Sequence, residues 1–148
     1  MAGVALPSHA HVPGRTPRHP EGTFDALTRT ARPGMTPAAL AASEAWRAGW
    51  VCLRAGYCWE AHELFEPVWM ALPPNSRERA FVQGVIQLAN ARLKARMDRP
   101  RAVVRISLLA LRHLEAAGAE GAAAMGVDAA ELEPLLESLR RGANLAER

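Results

Sequence analysis

Residues 56–69 read GYCWEAHELFEPVW, and this stretch decides the fold. On a helical wheel of about 3.6 residues per turn its apolar side chains form one continuous stripe. The stripe consists of Tyr57, Ala61, Leu64, Phe65, Val68 and Leu72. The pattern predicts an amphipathic helix that packs this stripe into a hydrophobic core.

The opposite face of this predicted helix carries polar and aromatic side chains together, namely Trp59, His62, Glu63 and Glu66, flanked by Trp69. A face that meets only water would not collect two tryptophans, because each can bury about 200 Å² of surface. We therefore expect something to cover it: a neighbouring helix, the N-terminal segment, a second subunit or a ligand. Pro67 adds a local irregularity, since proline removes a backbone hydrogen bond within a helix.

His62 and Glu66 are spaced by one helical turn and can converge on one metal ion, as the paired histidines of zinc-protease helices do. Glu63 is then the candidate general base. The simpler interpretation is that His62 and Glu66 form a buried, hydrogen-bonded pair packed by a tryptophan. The pattern supplies neither a third ligand nor a nucleophile, so we favour this structural interpretation, with no cofactor, over a divalent metal site.

Capping signals predict further helices on both sides of this one. Thr36 followed by Pro37 starts a helix that runs to about Ala55. Asn75 with Glu78 approximates a capping box for a helix that ends near Met97. Pro100 opens a fourth helix, to about Ala117, and a Gly- and Ala-rich loop leads to a short helix over 134–141, closed at 142.

No strand pattern of useful length appears, so the fold class is all-α: a compact bundle of four to five helices with short connections. On the helix that follows Asn75, six apolar side chains form a broad buried face. Gln83 and Gln87 lie on the opposite side, where they meet solvent or donate to carboxylates of the preceding helix. Gly84 costs helix propensity, which indicates close approach by a neighbouring element. The six are Phe81, Val82, Val85, Ile86, Ala89 and Leu93.

Residues 1–34 contain five prolines and no helical periodicity. We call them the leader, and predict a disordered or loosely docked segment that contributes little stability, followed by a single helical domain over 35–148. The leader histidines, His9, His11 and His19, lack carboxylate or thiolate companions in sequence. We interpret them as an incidental polar tail rather than as metal ligands.

Charge is segregated along the chain, although the net charge is only +3. Residues 77–112 carry nine basic and two acidic side chains, whereas residues 113–148 carry three basic and seven acidic ones. Arg101, Arg105 and Arg112 share one side of the predicted fourth helix. Aromatic side chains are not interleaved with them, so we expect no specific nucleic-acid binding.

The composition predicts a cytoplasmic protein with no membrane partner. No apolar run approaches the roughly 20 residues that cross a bilayer, and the first residues lack a signal-peptide apolar region. Cys52 and Cys58 have neither redox nor zinc spacing, and we interpret them as small core residues.

The stretch from about Trp46 to Gly142 resembles the bacterial and archaeal family known as domain of unknown function 309. The resemblance rests on two motifs, which match at Gly56, Trp59, Glu60, Ala61, His62, Glu63, Glu66 and Trp69, and at Gln83, Gly84, Ile86, Gln87 and Ala89. It implies a compact all-helical domain and no particular activity.

We predict a structural or interaction domain that is not an enzyme and that self-associates through its tryptophans. The residues expected to organise its core are Trp59, His62, Glu63, Glu66, Trp69, Gln83 and Gln87. The alternative is a metal-assisted hydrolase or small-ligand enzyme that uses His62, Glu63 and Glu66.

Overall fold

The computed structural model describes residues 5–145, and within that range every regular element is a helix. Five long helices form a compact bundle, which confirms the predicted all-α class. Two short helices precede them. The elements are α1 (Asp25–Thr28), α2 (Pro37–Ala41), α3 (Glu44–Arg54), α4 (Cys58–Ala71), α5 (Arg77–Arg96), α6 (Pro100–Ala124) and α7 (Ala129–Ala143).

The predicted first helix divides into α2 and α3. Thr36 caps α2 as expected, and its side chain accepts a hydrogen bond from the backbone N–H of Ala39. Ser43 then interrupts the helix, because its hydroxyl oxygen accepts from the backbone N–H of Trp46 and so caps a new helix. The turn between α3 and α4 contains Gly56, whose φ of 85° belongs to the left-handed region that favours glycine.

The start of α5 differs from the predicted capping box. Ser76, not Asn75, is the N-cap, and its side chain accepts from the backbone N–H of Arg79. Asn75 lies one residue earlier in a left-handed conformation, with φ of 64°. Asparagine tolerates that conformation better than most residues, which accounts for its place in the turn.

The C-terminal part is more helical than predicted. The backbone of α6 breaks at Gly118, where φ is 65° and ψ is −177°, and helix then resumes to Ala124 where a loop was expected. A full capping box between Asp128 and Glu131 starts α7, five residues earlier than predicted. Gly142 lies inside α7 rather than ending it.

The core lies where α5 packs against α4 and α6, with α3 closing over α4 and α7 over α6. The predicted buried face of α5 is confirmed, since all six apolar residues named for it are buried. On α3, Trp46, Trp50 and Leu53 are buried too. Close approach at Gly84 is also confirmed. A Cβ atom there would lie 2.5 Å from Cδ2 of Leu114 on α6.

The described part of the leader, residues 5–34, packs against the bundle. Val12 and Ala31 are buried, and the hydroxyl of Tyr57 donates to the carbonyl of Pro7 at 3.0 Å. At the surface, Arg15 pairs with Asp98 at 2.6 Å. The division into a leader and a domain at residue 35 stays a prediction, and residues 1–4 and 146–148 lie outside the described range.

Candidate functional site

The residues predicted to form one polar and aromatic cluster occupy three separate places. Trp59 lies under the leader, His62 and Glu66 form a solvent-accessible pair, and Trp69 with Gln83 lines a cavity beside α6. Gln87 accepts from the side-chain amide of Asn90 at 3.3 Å on its own helix. The helical wheel correctly predicts which side chains of α4 share a face. It does not show that these side chains lie in three separate environments.

Glu60 is the best-enclosed polar side chain of α4, with none of its surface exposed. Its Oε2 atom accepts from the backbone N–H of His11 at 2.8 Å and is 2.5 Å from Nε2 of His19. Both partners belong to the leader. Because an unpaired carboxylate is costly to bury, these two donors are what make the position tolerable.

Aromatic rings enclose this arrangement. The ring of His11 meets that of Trp59 edge to face, with centroids 5.0 Å apart, and the rings of His19 and Phe24 complete the contact. We call Glu60, His11, His19 and Trp59 the leader clamp. Part of the tryptophan-bearing face of α4 is thus covered by the chain's own N-terminal segment, one of the four alternatives that the sequence leaves open.

Two polar atoms in the leader clamp have no hydrogen-bond partner within residues 5–145: Oε1 of Glu60 and Nδ1 of His11. Each could bond a water molecule. The leader clamp therefore has unused hydrogen-bonding capacity, although Oε2 is fully engaged.

His62 and Glu66 form a half-buried pair. Nε2 of His62 and Oε2 of Glu66 are 3.4 Å apart, but 31% and 47% of the two side-chain surfaces are exposed. Glu63 is also partly exposed. The i, i+4 spacing brings the histidine and the carboxylate together, as the helical periodicity requires.

Trp69 is covered by Arg79, whose guanidinium lies 4.2 Å from the centre of an indole ring. This is a cation–π contact between α4 and α5. Both residues line an open cavity of about 530 Å³, together with Gln83 and with His113 of α6. Burial lowers the pKa of His113, so its imidazole is more readily neutral than that of a free histidine.

No group of three or more His, Cys, Asp or Glu side chains in the described range is arranged to hold a metal ion. The pair formed by His62 and Glu66 supplies two candidate ligands. Divalent metal binding there stays a prediction.

The leader clamp contains the functional residues that sequence reasoning missed. The sequence predicts the leader histidines only as a polar tail and Glu60 only as part of a motif. The position of Glu60 on the helical wheel could have indicated these contacts. Glu60 lies between the apolar stripe and the polar face of α4, so its carboxylate needs a partner from another part of the chain. Nothing in its local spacing points to His11 or His19, which are 49 and 41 residues away.

Residues 46–106 match the model of a family described as Domain of unknown function (DUF309). We call residues 46–106 the DUF309 segment, after the family whose model they match. The match confirms the resemblance predicted from the two motifs. Comparisons with curated proteins and with solved structures give no significant match.

The DUF309 segment contains most of α3, all of α4 and α5, and the first part of α6. Glu60 and Trp59 lie inside it, whereas His11 and His19 lie outside. The leader clamp therefore joins the DUF309 segment to the leader.

The basic face of the DUF309 segment remains largely unpaired. Lys94, Arg99, Arg101 and Arg105 line one open cavity of about 470 Å³. None of these four cations takes part in an ion pair within residues 5–145. Glu133 and Glu137 pair with Arg140 and Arg141 of the same helix, α7, and Glu120 pairs with Arg77. The basic and acidic stretches are thus linked at one point and otherwise separate.

Within residues 5–145, no helix is both long and apolar enough to cross a lipid bilayer.

Proposed function

We propose that this chain is a non-catalytic structural or interaction domain in which α4 organises the packing of the bundle and holds the leader against it. The observation that supports this function is the leader clamp. A carboxylate with no exposed surface takes its two donors from His11 and His19, far away in sequence.

The physical argument concerns what the polar face of α4 is used for. Oε2 of Glu60 already accepts from two protein groups, so its hydrogen-bonding capacity serves internal structure. Trp59 likewise packs against leader rings instead of presenting a free aromatic surface. Groups that are enclosed and paired in this way fix conformation rather than contact a substrate.

Glu60→Ala tests the proposal because it removes the acceptor of both leader donors. We expect a loss of about 1 to 3 kcal/mol in the free energy of unfolding, the usual cost of stranding buried partners. The released leader should also become sensitive to trypsin at Arg18, an exposed position in the leader. Denaturant unfolding and the rate of cleavage at Arg18 measure the two effects.

Glu66→Ala is the matched control, since it removes a carboxylate from the same helix at a solvent-accessible pair. Pairs of this kind contribute about 0 to 1 kcal/mol, so stability and leader protection should stay close to those of the parent protein. Unchanged stability and unchanged cleavage in Glu60→Ala would contradict the proposal.

The second candidate function is a metal-assisted hydrolase or small-ligand enzyme that uses His62 and Glu66 as ligands and Glu63 as base. The observation that favours it is the open pair, with Nε2 and Oε2 3.4 Å apart and accessible to a ligand. Elemental analysis of protein purified without an affinity tag tests it. A stoichiometric metal that is lost in His62→Ala, with stability retained, would replace the structural proposal.

We also propose a cytoplasmic location and self-association, with no cofactor and no sequence-specific nucleic acid. Two free, buried thiols, Cys52 and Cys58, support a reducing compartment. Leu108 and Leu109 are exposed large apolar residues on α6, a surface suited to a second copy. Sedimentation velocity over a range of concentrations tests the self-association, and a monomer throughout would contradict it.

A further inference from the structure

A cleft between α3 and α7 lies apart from the leader clamp. It consists of two adjoining cavities of about 440 Å³ and 280 Å³. The two cavities share part of their wall, formed by Trp50, Arg54, Val127 and Glu131. Each volume is close to the range found for sites that enclose small organic molecules.

The wall of this cleft is mainly aromatic and aliphatic. Trp46 and Trp50 meet edge to face, with ring centroids 5.5 Å apart, and Val51, Val127 and Leu135 extend the apolar surface. Such a wall favours an apolar ligand body, because contact with it removes hydrocarbon surface from water.

Two indole groups in the cleft differ in their hydrogen bonding. Nε1 of Trp46 donates to the backbone carbonyl of Met125 at 2.9 Å. Nε1 of Trp50 is buried and has no acceptor within the described residues. Because a buried donor without an acceptor is destabilising, an acceptor bound beside Trp50 would stabilise it.

The cleft also has more cationic than anionic side chains. Arg47, Arg54 and Arg92 line it against one carboxylate, Glu131. Glu131 is engaged elsewhere, since its Oε1 accepts from the backbone N–H of Asp128 in the cap of α7. Ion pairs within residues 5–145 include none of these three arginines.

Arg92 is the most constrained of the three. It is partly buried, and burial is the main cause that lowers the pKa of its guanidinium. The like charge of Arg141 acts in the same direction, whereas Cys58 opposes it. An anion beside Arg92 would relieve the cost of keeping this cation away from water.

We propose that this cleft binds a small carboxylate with an apolar body, such as a medium-chain fatty acid. The apolar body lies against Trp50, Val127 and Leu135. The carboxylate meets the guanidinium groups of Arg54 and Arg92, and the indole N–H of Trp50 donates to the same anion. This class of ligand is complementary to the cleft in three respects. The cleft has an excess of cationic side chains, an indole N–H donor without an acceptor and an apolar wall.

Titration of the full-length protein with octanoate, followed by calorimetry and by tryptophan fluorescence, tests the proposal. We expect saturable binding with one site per chain. The uncharged analogue 1-octanol should bind at least about tenfold more weakly, a difference of about 1.4 kcal/mol that charge-assisted hydrogen bonds supply. Failure of octanoate to saturate at millimolar concentrations, or equal affinity for the alcohol, would overturn the proposal.

Three variants locate the binding site. Arg92→Met and Arg54→Met keep side-chain length without the charge, and Trp50→Phe keeps an aromatic ring without the N–H donor. Each should weaken octanoate binding severalfold or more. Arg105→Met is the matched control, because Arg105 is an exposed arginine that lines a different cavity, and it should bind octanoate like the parent protein.

Parent-like binding by both Arg54→Met and Arg92→Met would overturn the proposal, as would an equal loss in Arg105→Met. Arg54 is exposed, so its variant is expected to fold even if the partly buried Arg92 is needed for stability. Thermal unfolding of each variant identifies any that is unfolded. None of these outcomes depends on Glu60 or on the leader clamp, so this site and the proposed structural function fail separately.

Discussion

The solvent exposure of a side chain in this molecule depends chiefly on whether another element covers it. Glu60 and Glu66 are six residues apart on α4, yet the first has no exposed surface and the second has 47% of its side chain exposed. The leader supplies the two partners of Glu60, whereas Glu66 pairs with His62 on its own helix. Residue type and position on a helical wheel alone would not have separated these two carboxylates.

Cys52 gives a residue-level prediction about alkaline pH. Burial raises the pKa of its thiol from the ordinary 9.0 to about 11, with a smaller contribution from Glu60. A raised pKa stabilises the folded chain fully below pH 9, and this stabilisation is lost as the pH rises through 11, because the unfolded chain ionises first. The slope is about 1.4 kcal/mol per pH unit for one group.

Denaturant unfolding under reducing conditions between about pH 9 and 11 measures this effect. Cys52→Ala should lose less stability over that range than the parent protein. Cys58→Ala is the control with a smaller expected difference, since Arg96 and Arg92 partly offset the burial of that thiol. Identical slopes in the parent and in Cys52→Ala would refute the prediction.

At the level of elements, the bundle is held by helices that approach closely at glycine. Gly84 on α5 faces Leu114 on α6, and an added Cβ would also lie 3.3 Å from the carbonyl oxygen of Ala110. Glycine therefore sets the spacing of these two helices. The loss of helix propensity at this position, about 1 kcal/mol, is the cost of that spacing.

Gly84→Ala should destabilise the protein by about 1 to 3 kcal/mol, because overpacking outweighs the gain in helix propensity. In a Leu114→Ala background the same change should be neutral or stabilising, since the space for a methyl group is then open. A double-mutant cycle followed by denaturant unfolding measures the coupling. If Gly84→Ala costs the same in both backgrounds, the two helices do not meet as described.

Helix positions follow from local chemistry, which is why most of them were predictable. A helix start or end depends on residues close in sequence, such as Thr36 and Pro37 at the start of α2 and Gly56 in the turn after α3. The break at Ser43 was also readable in principle, since a serine before Glu44 is a cap signal inside a long apolar pattern. Gly118 was harder, because helix resumes after it and composition alone resembles a loop.

The candidate site was less predictable because its contacts are long-range. His11 and His19 reach Glu60 across 49 and 41 residues, and no periodicity records such a pairing. The wheel placed His62 beside Glu66 correctly. It gave no information on how far a neighbouring element covers them, and the structure leaves the pair half-buried.

At the scale of the whole molecule, the leader is part of the packing. We therefore expect deletion of residues 1–34 to lower the melting temperature by at least about 8 °C, in place of the small effect expected from sequence alone. The deletion removes both donors from Glu60 and exposes apolar surface that now packs against Val12 and Ala31.

Thermal unfolding followed by circular dichroism measures the effect. Arg15→Ala is the control, because it breaks only a surface ion pair between the leader and Asp98 and should change the melting temperature little. A truncated protein that melts within a few degrees of the parent would restore the original expectation of a loosely docked leader.

The hydrogen bond from the indole of Trp46 to the carbonyl of Met125 spans 79 residues. During synthesis on the ribosome, a growing chain that ends before Met125 cannot satisfy this buried donor. Although α3 is synthesised early, it therefore acquires its final contacts only after the segment beyond the Gly118 break has been synthesised. This contact of α3 therefore forms late in translation, after α4, α5 and most of α6 have been synthesised.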